Sequence, residues 1–407
     1  MRRVYVYMQL PDSLETVTLG RLDTRAGVGE FVYNPEYVAE GGWVPDPIRY
    51  PLRAQVFQAI TKNQGIPGFI RDAAPDGWGE RVLLKTSDGT LDALDFLLKS
   101  PNQDRAGSLM MGVAKTPPNG VGQAGISRLT ALDEFIAFAD NIQNGFPKLT
   151  DEMARQALRQ RSSLGGARPK CTLRVDDRLI LAKPRDRHDD FDVPALEFAA
   201  MSFAASKGLH VAHVELHRGK ASTLLVDRFD RRATNDGKFL RLPMMSGLTL
   251  LDSDWKNPAA HEQEWRYGLL VDEMNRRQVP VEDQHELYRR ICFNILVGND
   301  DDHPKNVSVI FDQGRWRLSP MYDVVPCLDG SPPPRLAMAV GKFGHALTRR
   351  NLLSQAAHYH LDQTQACAIL DDVASWEADL QAHYREHLAE QEQRLALAAI
   401  GGQRLLV

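Results

Sequence analysis

The stretch GNDDDHPKNVSVI, residues 298–310, followed by SPMYDVV at 319–325, decides how the rest of the chain reads. Phosphoryl transfer from ATP needs a carboxylate to orient the attacking hydroxyl and oxygen ligands to hold magnesium against the phosphates. Asp301 stands five residues before Asn306, the separation used in protein-kinase catalytic loops between the base and a metal-binding asparagine. Asp323 then takes the place of the second metal ligand. A solvated acidic turn would explain the triple Asp alone, since charge runs usually face water. It does not explain an Asp, an Asn and a later Asp set between an apolar helix and a Trp-containing hairpin. Asp300 and Asp302 stay open as alternative bases, and His303 and Lys305 are candidates to brace the loop or meet phosphate.

Working outward, RSSLGGARPK ends at Lys170 and places Gly165, Gly166 and Ala167 in a turn beside two cations, Arg168 and Lys170. Glycines let backbone N–H groups come close to phosphate oxygens, so the segment resembles a phosphate cradle. It is not a Walker loop, because Pro169 occupies the position that such a loop gives to glycine. Lys183 closes the apolar strand RLILAKP, where it can reach the α- and β-phosphates, although a strand-end lysine snorkelling to water fits the same letters. Glu197 on the next helix is the candidate to orient it, against the commoner fate of a glutamate at a helix surface. LLVDRFDR, residues 224–231, is an apolar strand running into charge, and Asp227 and Phe229 are its candidates for flanking the nucleotide. His210, His213 and His217 alternate with apolar residues and have no cysteine partners, which argues against a zinc set.

Before these motifs, Val4 to Tyr33 alternates apolar and polar residues as a small twisted sheet does. KTPPNGVGQAG, residues 115–125, is rich in turn formers and is the candidate linker, dividing the chain into segments 1–114, 126–235 and 236–407. LDEFIAFADNI and DEMARQALRQ follow as helical stretches. Past about residue 240 the pattern is mostly helical, interrupted by the strand pair NVSVIFDQGRWRLS. It finishes in one long charged helix from about Trp376 to Ile400.

The 407 residues are 43% hydrophobic and 25% charged, enough to bury a large core. A net charge of -4 offers phosphate backbones no global attraction, so DNA contact would need a local basic patch or a partner, which argues against a stand-alone DNA binder. Four scattered cysteines without a C-x-x-C pair fit a reducing compartment. The opening MRRVYVYMQLPDSLETV lacks the apolar run of a signal peptide, and no stretch is long enough to span a bilayer. The expectation is a cytoplasmic protein with no membrane contact.

Taken in order, SSLGGARPK, LILAKP, LLVDRFDR, GNDDDHPKN and SPMYDVV resemble the HipA family of bacterial toxin kinases, and GRLDTRAGVGEFVYNPEYV and AAPDGWGERVL resemble that family's amino-terminal subdomain. The resemblance implies an α+β, bilobal protein-kinase-like fold, with a β-rich N-lobe and an all-helical C-lobe preceded by a β-rich subdomain, and an active site between the lobes. By the same resemblance Asp301 is the base, Asn306 and Asp323 hold Mg2+, and Lys183 contacts ATP. Ser163, with Ser162 as fallback, falls where the family phosphorylates itself and expels the loop. Arg168, Pro169 and Asp227 depart from the family pattern. The implied partners are a helix-turn-helix antitoxin of the HipB type, operator DNA reached through that antitoxin, and a protein substrate such as an aminoacyl-tRNA synthetase. A small-molecule or lipid phosphotransferase, and a non-catalytic module gripping a repressor, are the competing readings.

Overall fold

The alternating apolar residues near the amino terminus form an antiparallel sheet, because side chains two apart on a strand share a face. Strands β1 (Arg2–Gln9), β2 (Thr16–Arg25), β3 (Val28–Tyr33), β4 (Val56–Ile60) and β5 (Leu109–Gly112) lie in the order β4-β3-β2-β1-β5. Val4, Val6, Met8, Leu22 and Phe31 share one core with Phe69, Ile70, Leu94 and Leu97 of the short helices that follow. Phe31 meets Phe69 edge to face at 5.4 Å between ring centroids, an arrangement favoured by the ring quadrupoles.

The computed structural model describes residues 2–25, 27–60, 62–87, 89–123, 125–144, 166–255 and 261–407. They group into two compact units: Met1–Arg187 with Asp227–Met245 and Ile310–Gly314, and His188–Val226 with Ser246–Val309 and Arg315–Val407. The helix expected over residues 151–160 lies outside the described residues, as do Ser162, Ser163 and Gly165.

In the first unit, β6 (Cys171–Val175) and β7 (Arg178–Pro184) form an antiparallel hairpin. The backbone N–H of Arg228 donates to the carbonyl of Leu179 on β7 at 2.8 Å. Residues 115–123, in the segment read as the candidate linker, are tied to this unit by hydrogen bonds. Thr18 donates to the carbonyl of Lys115 at 2.6 Å and the Arg241 guanidinium to that of Gly122 at 3.0 Å, so this turn-rich composition makes surface turns that are pinned down.

The charges closing LLVDRFDR are buried in this unit. Arg228 pairs with Asp104 at 3.1 Å and Asp230 at 2.8 Å, and Arg231 reaches Asp230 at 2.7 Å. The N–H of Gly107 adds a bond to Asp230 at 2.9 Å. Burial works to raise the Asp230 carboxyl, but Arg228 and Arg231 override it and hold the group well below the usual carboxylate range. Arg105, fully buried, is pushed down to about 9 by burial and donates to the carbonyls of Ala73 and Ser100, each at 2.8 Å.

The second unit is mainly helical, with strands Val214–Arg218 and Ser222–Asp227 paired antiparallel. Helix Val193–Ser206 is followed closely by Gly208 at φ 78, and helix Val281–Val297 buries Leu287, Ile291 and Ile295 on one face. The latter ends at Gly298 with φ 71, where a side chain would meet the carbonyl oxygen of Ala399 at 2.2 Å. That glycine stop releases the chain into the loop of the candidate site. Beyond that helix the chain runs through strands Ser308–Asp312 and Arg315–Leu318 and becomes helical again from Arg349. Its end is two helices, Glu377–His387 and Glu390–Ala399, where the sequence suggested one. The break falls at Leu388, which is extended, and the Gln393 side chain bonds the carbonyls of Arg385 and Leu388 that a continuous helix would have occupied. Among the described residues, no helix is long and apolar enough to cross a membrane.

Candidate active site

Loop 298–307 is held from several sides before any side chain is considered. The N–H groups of Gly247 and Leu248, at the start of helix Gly247–Leu250, donate to the carbonyls of Val307 and Pro304 at 2.7 and 2.9 Å. Cys327 N–H donates to Gly298 at 2.7 Å, and its thiol approaches Asp300 at 3.4 Å. Within the loop, Asn306 Nδ2 donates to the carbonyl of Asp301 at 2.8 Å, so the five-residue spacing closes a ring that fixes the backbone of both residues.

The three aspartates separate by environment. Asp302 is 4% exposed, accepting from the Tyr267 hydroxyl at 2.6 Å and from the N–H of Ala337 at 2.6 Å. Burial pushes its carboxyl up to about 7 against the pull of those hydrogen bonds. Its two oxygens are committed to the interior, which removes it as a group facing substrate. The Asp301 side chain is 74% exposed, with Oδ1 3.6 Å from His303 Nε2. His303 packs edge-on against Trp255 at 4.6 Å, and its Nδ1 is buried without a hydrogen-bond partner. Trp255 in turn stacks on Trp265 at 5.9 Å and carries the Lys305 ammonium 5.1 Å from its ring centroid. His303 therefore braces the loop, and Lys305 is held by a cation–π contact.

Asp323 is joined to this loop through its neighbour. The Tyr322 hydroxyl donates to the carbonyl of Lys305 at 2.8 Å and takes a hydrogen bond from Ser308 at 2.6 Å. Asp323 itself has φ 61, a left-handed backbone that costs a non-glycine residue energy and is concentrated at functional sites. Among the described residues no three His, Cys, Asp or Glu side chains gather to hold a metal ion. The expected set, one amide oxygen and one carboxylate completed by phosphate oxygens and water, is the smaller one that magnesium accepts.

The nucleotide-facing candidates of the other unit stand as follows. Lys183 is half-buried at the end of β7. Asp227 is held by Arg178, whose Nη1 lies 3.1 Å from each carboxylate oxygen, and Phe229 is half-buried. Gly166 adopts φ 100 and Ala167 is exposed, whereas Lys170 is 7% exposed with its ammonium against Gly166. In the helical unit, Glu197 is 4% exposed, so it is no surface glutamate. The contributions of Tyr322, Tyr267 and Trp255 were missed in the sequence. Tyr322 sits inside the quoted SPMYDVV motif and offered a signal by adjacency; Trp255 and Tyr267 offered none.

Comparison with known proteins follows the same lines. The HipA-like C-terminal domain family matches residues 162–380. The fold superposes on HipA from the complex of Shewanella oneidensis MR-1 HipA, HipB and operator DNA with a TM-score of 0.71, at 19% identity, over 99% of this chain and 96% of that one. The architecture is therefore the kinase-like fold of that toxin. In sequence, "Putative kinase Y4mE" of Sinorhizobium fredii is 26% identical over 336 residues, 79% of this chain and 77% of that protein. The serine/threonine-protein kinase toxin HipA of Shewanella oneidensis is 27% identical over 144 residues, 32% of this chain and 33% of that protein. This chain belongs to the HipA family.

Proposed function

We propose that the chain is an ATP- and Mg2+-dependent serine/threonine protein kinase of the bacterial cytoplasm that acts as the toxin of a toxin–antitoxin pair. The observation carrying this reading is the exposed Asp301 carboxylate on a loop fixed by Asn306 and by Tyr322, the residue before Asp323. In that reading Asp301 accepts the proton of the attacking hydroxyl. Asn306, with its Nδ2 end committed to the loop, turns its Oδ1 end to the cation, and Asp323 supplies the second ligand. The bound Mg2+ neutralises charge on the phosphates. Lys183 engages the α- and β-phosphates, Gly165, Gly166 and Ala167 cover them, and Asp227 and Phe229 flank the base.

The HipB and operator DNA in the Shewanella complex support a helix-turn-helix antitoxin as partner, with DNA reached through it. A translation component such as an aminoacyl-tRNA synthetase is the proposed substrate, and Ser163 the site of autophosphorylation. The test is incubation with labelled ATP and Mg2+, followed by peptide mapping. Label is expected at Ser163 and should drop by at least about 10²-fold in Asp301→Asn, the scale of a lost general base. Undiminished labelling in that variant removes Asp301 from the role. Labelling of a metabolite but never of protein would favour a small-molecule phosphotransferase.

A further inference from the structure

The motif AAPDGWGERVL in the amino-terminal sheet unit is not used by the chemistry above, yet it grips the glycine-rich loop. Asp76 stands at the N-cap position of helix Gly77–Thr86, where an aspartate ordinarily accepts from its own helix. Here its side chain makes no such bond. Its Oδ1 instead accepts the N–H of Gly166, 90 positions along the chain, at 2.6 Å. The helix answers from the other side: the N–H of Trp78 donates to the carbonyl of Gly166 at 2.7 Å. Both polar groups of one loop residue are thus taken by one helix start.

Two further features show that the approach is built for closeness. Gly77 has φ 43, and a side chain there would lie 2.3 Å from the Gly166 oxygen. The Trp78 ring is fully buried and meets Phe135 edge to face at 6.5 Å, so the gripping element is anchored in the core. Asp76 is only 4% exposed, which strengthens its bond to the loop amide.

We propose that Asp76, Gly77 and Trp78 form a clasp that holds Gly166 in one conformation, making them positioning residues for the nucleotide phosphates although they lie outside the lobe motifs. The proposal rests on the kinase reading, because it names the nucleotide as what the fixed loop serves. The helix start at Asp76, Gly77 and Trp78 then sets nucleotide affinity through the loop rather than through contact with the nucleotide.

The experiment compares wild type with Asp76→Ala, Gly77→Ala and Asp76→Asn in the full chain. It reads hydrogen exchange at the Gly166 amide and affinity for a non-hydrolysable ATP analogue with Mg2+. Asp76→Ala and Gly77→Ala are expected to speed exchange and to weaken the analogue by about tenfold each, the scale of one charge-assisted hydrogen bond. Asp76→Asn keeps the acceptor oxygen and should stay within about threefold of wild type; a role in overall folding alone would speed exchange throughout the unit rather than at Gly166. Unchanged exchange in both disruptive variants overturns the clasp while leaving the kinase reading intact if wild type binds the analogue. Faster exchange with unchanged affinity overturns the positioning role. Failure of wild type to bind the analogue overturns the kinase reading and the positioning role together, whatever the exchange shows.

Discussion

The hydroxyl of Tyr267 donates to the buried carboxylate of Asp302 at 2.6 Å, at the position next in sequence to the residue proposed as the base. Tyr267→Phe removes that donor and leaves a buried carboxylate oxygen short of a partner. The expected loss is about 1–3 kcal/mol, read from urea denaturation at neutral pH. A change below about 0.5 kcal/mol would mean that Ala337 alone satisfies Asp302.

Asp302 also predicts a pH dependence. Its folded pKa, raised by burial to about 7 from 3.8, means that the folded state holds the proton more tightly than the unfolded chain does. The stability contributed by that proton is complete below about pH 4 and is lost as pH rises through about 7. Urea midpoints of the wild type should therefore fall more steeply between about pH 5 and about pH 8 than those of Asp302→Asn. Parallel profiles would show that the buried charge costs nothing.

Tyr322 fastens the Asp323 segment to the Lys305 carbonyl, so Tyr322→Phe tests alignment without touching a proposed ligand. Phosphate transfer should fall about tenfold while the stability loss stays near 1 kcal/mol, the worth of one neutral hydrogen bond. Phosphate assays at saturating ATP, set beside thermal melts, separate the two effects. Full activity in Tyr322→Phe would detach this residue from the site.

Asp230 carries two arginines and a backbone amide in the interior of its unit. Asp230→Ala leaves Arg228 and Arg231 buried without their shared partner, and a loss of about 3–5 kcal/mol is expected. Soluble yield and denaturant midpoint both report it. A loss comparable to that of a surface substitution would show that Asp104 compensates.

How much of this was legible in the letters depends on the distance over which each feature is specified. The Asp301–Asn306 spacing is local, and the structure closes it with one hydrogen bond. Helix Val281–Val297 and its glycine stop were equally readable, because periodicity and a left-handed cap act within a few residues. The burial of Asp302 among the three aspartates was not, since it depends on packing against Tyr267 and Ala337, which lie far off in the chain. The burial of the charge on Arg228 in LLVDRFDR could not be read either, because its partner Asp104 is 124 positions away. The break at Leu388 was hidden for a smaller reason: the apolar spacing continues across it, and the glutamine that caps the first helix looks like any surface polar residue.

The buried pairing of Asp104 with Arg228 carries a consequence for the order in which the chain is made. Asp104 emerges from the ribosome more than a hundred residues before the arginine that neutralises it. Until then, the amino-terminal sheet can collapse around its apolar face but cannot seal the side that carries this charge. A chain stopped within that interval would therefore keep an unfinished seam open on this unit.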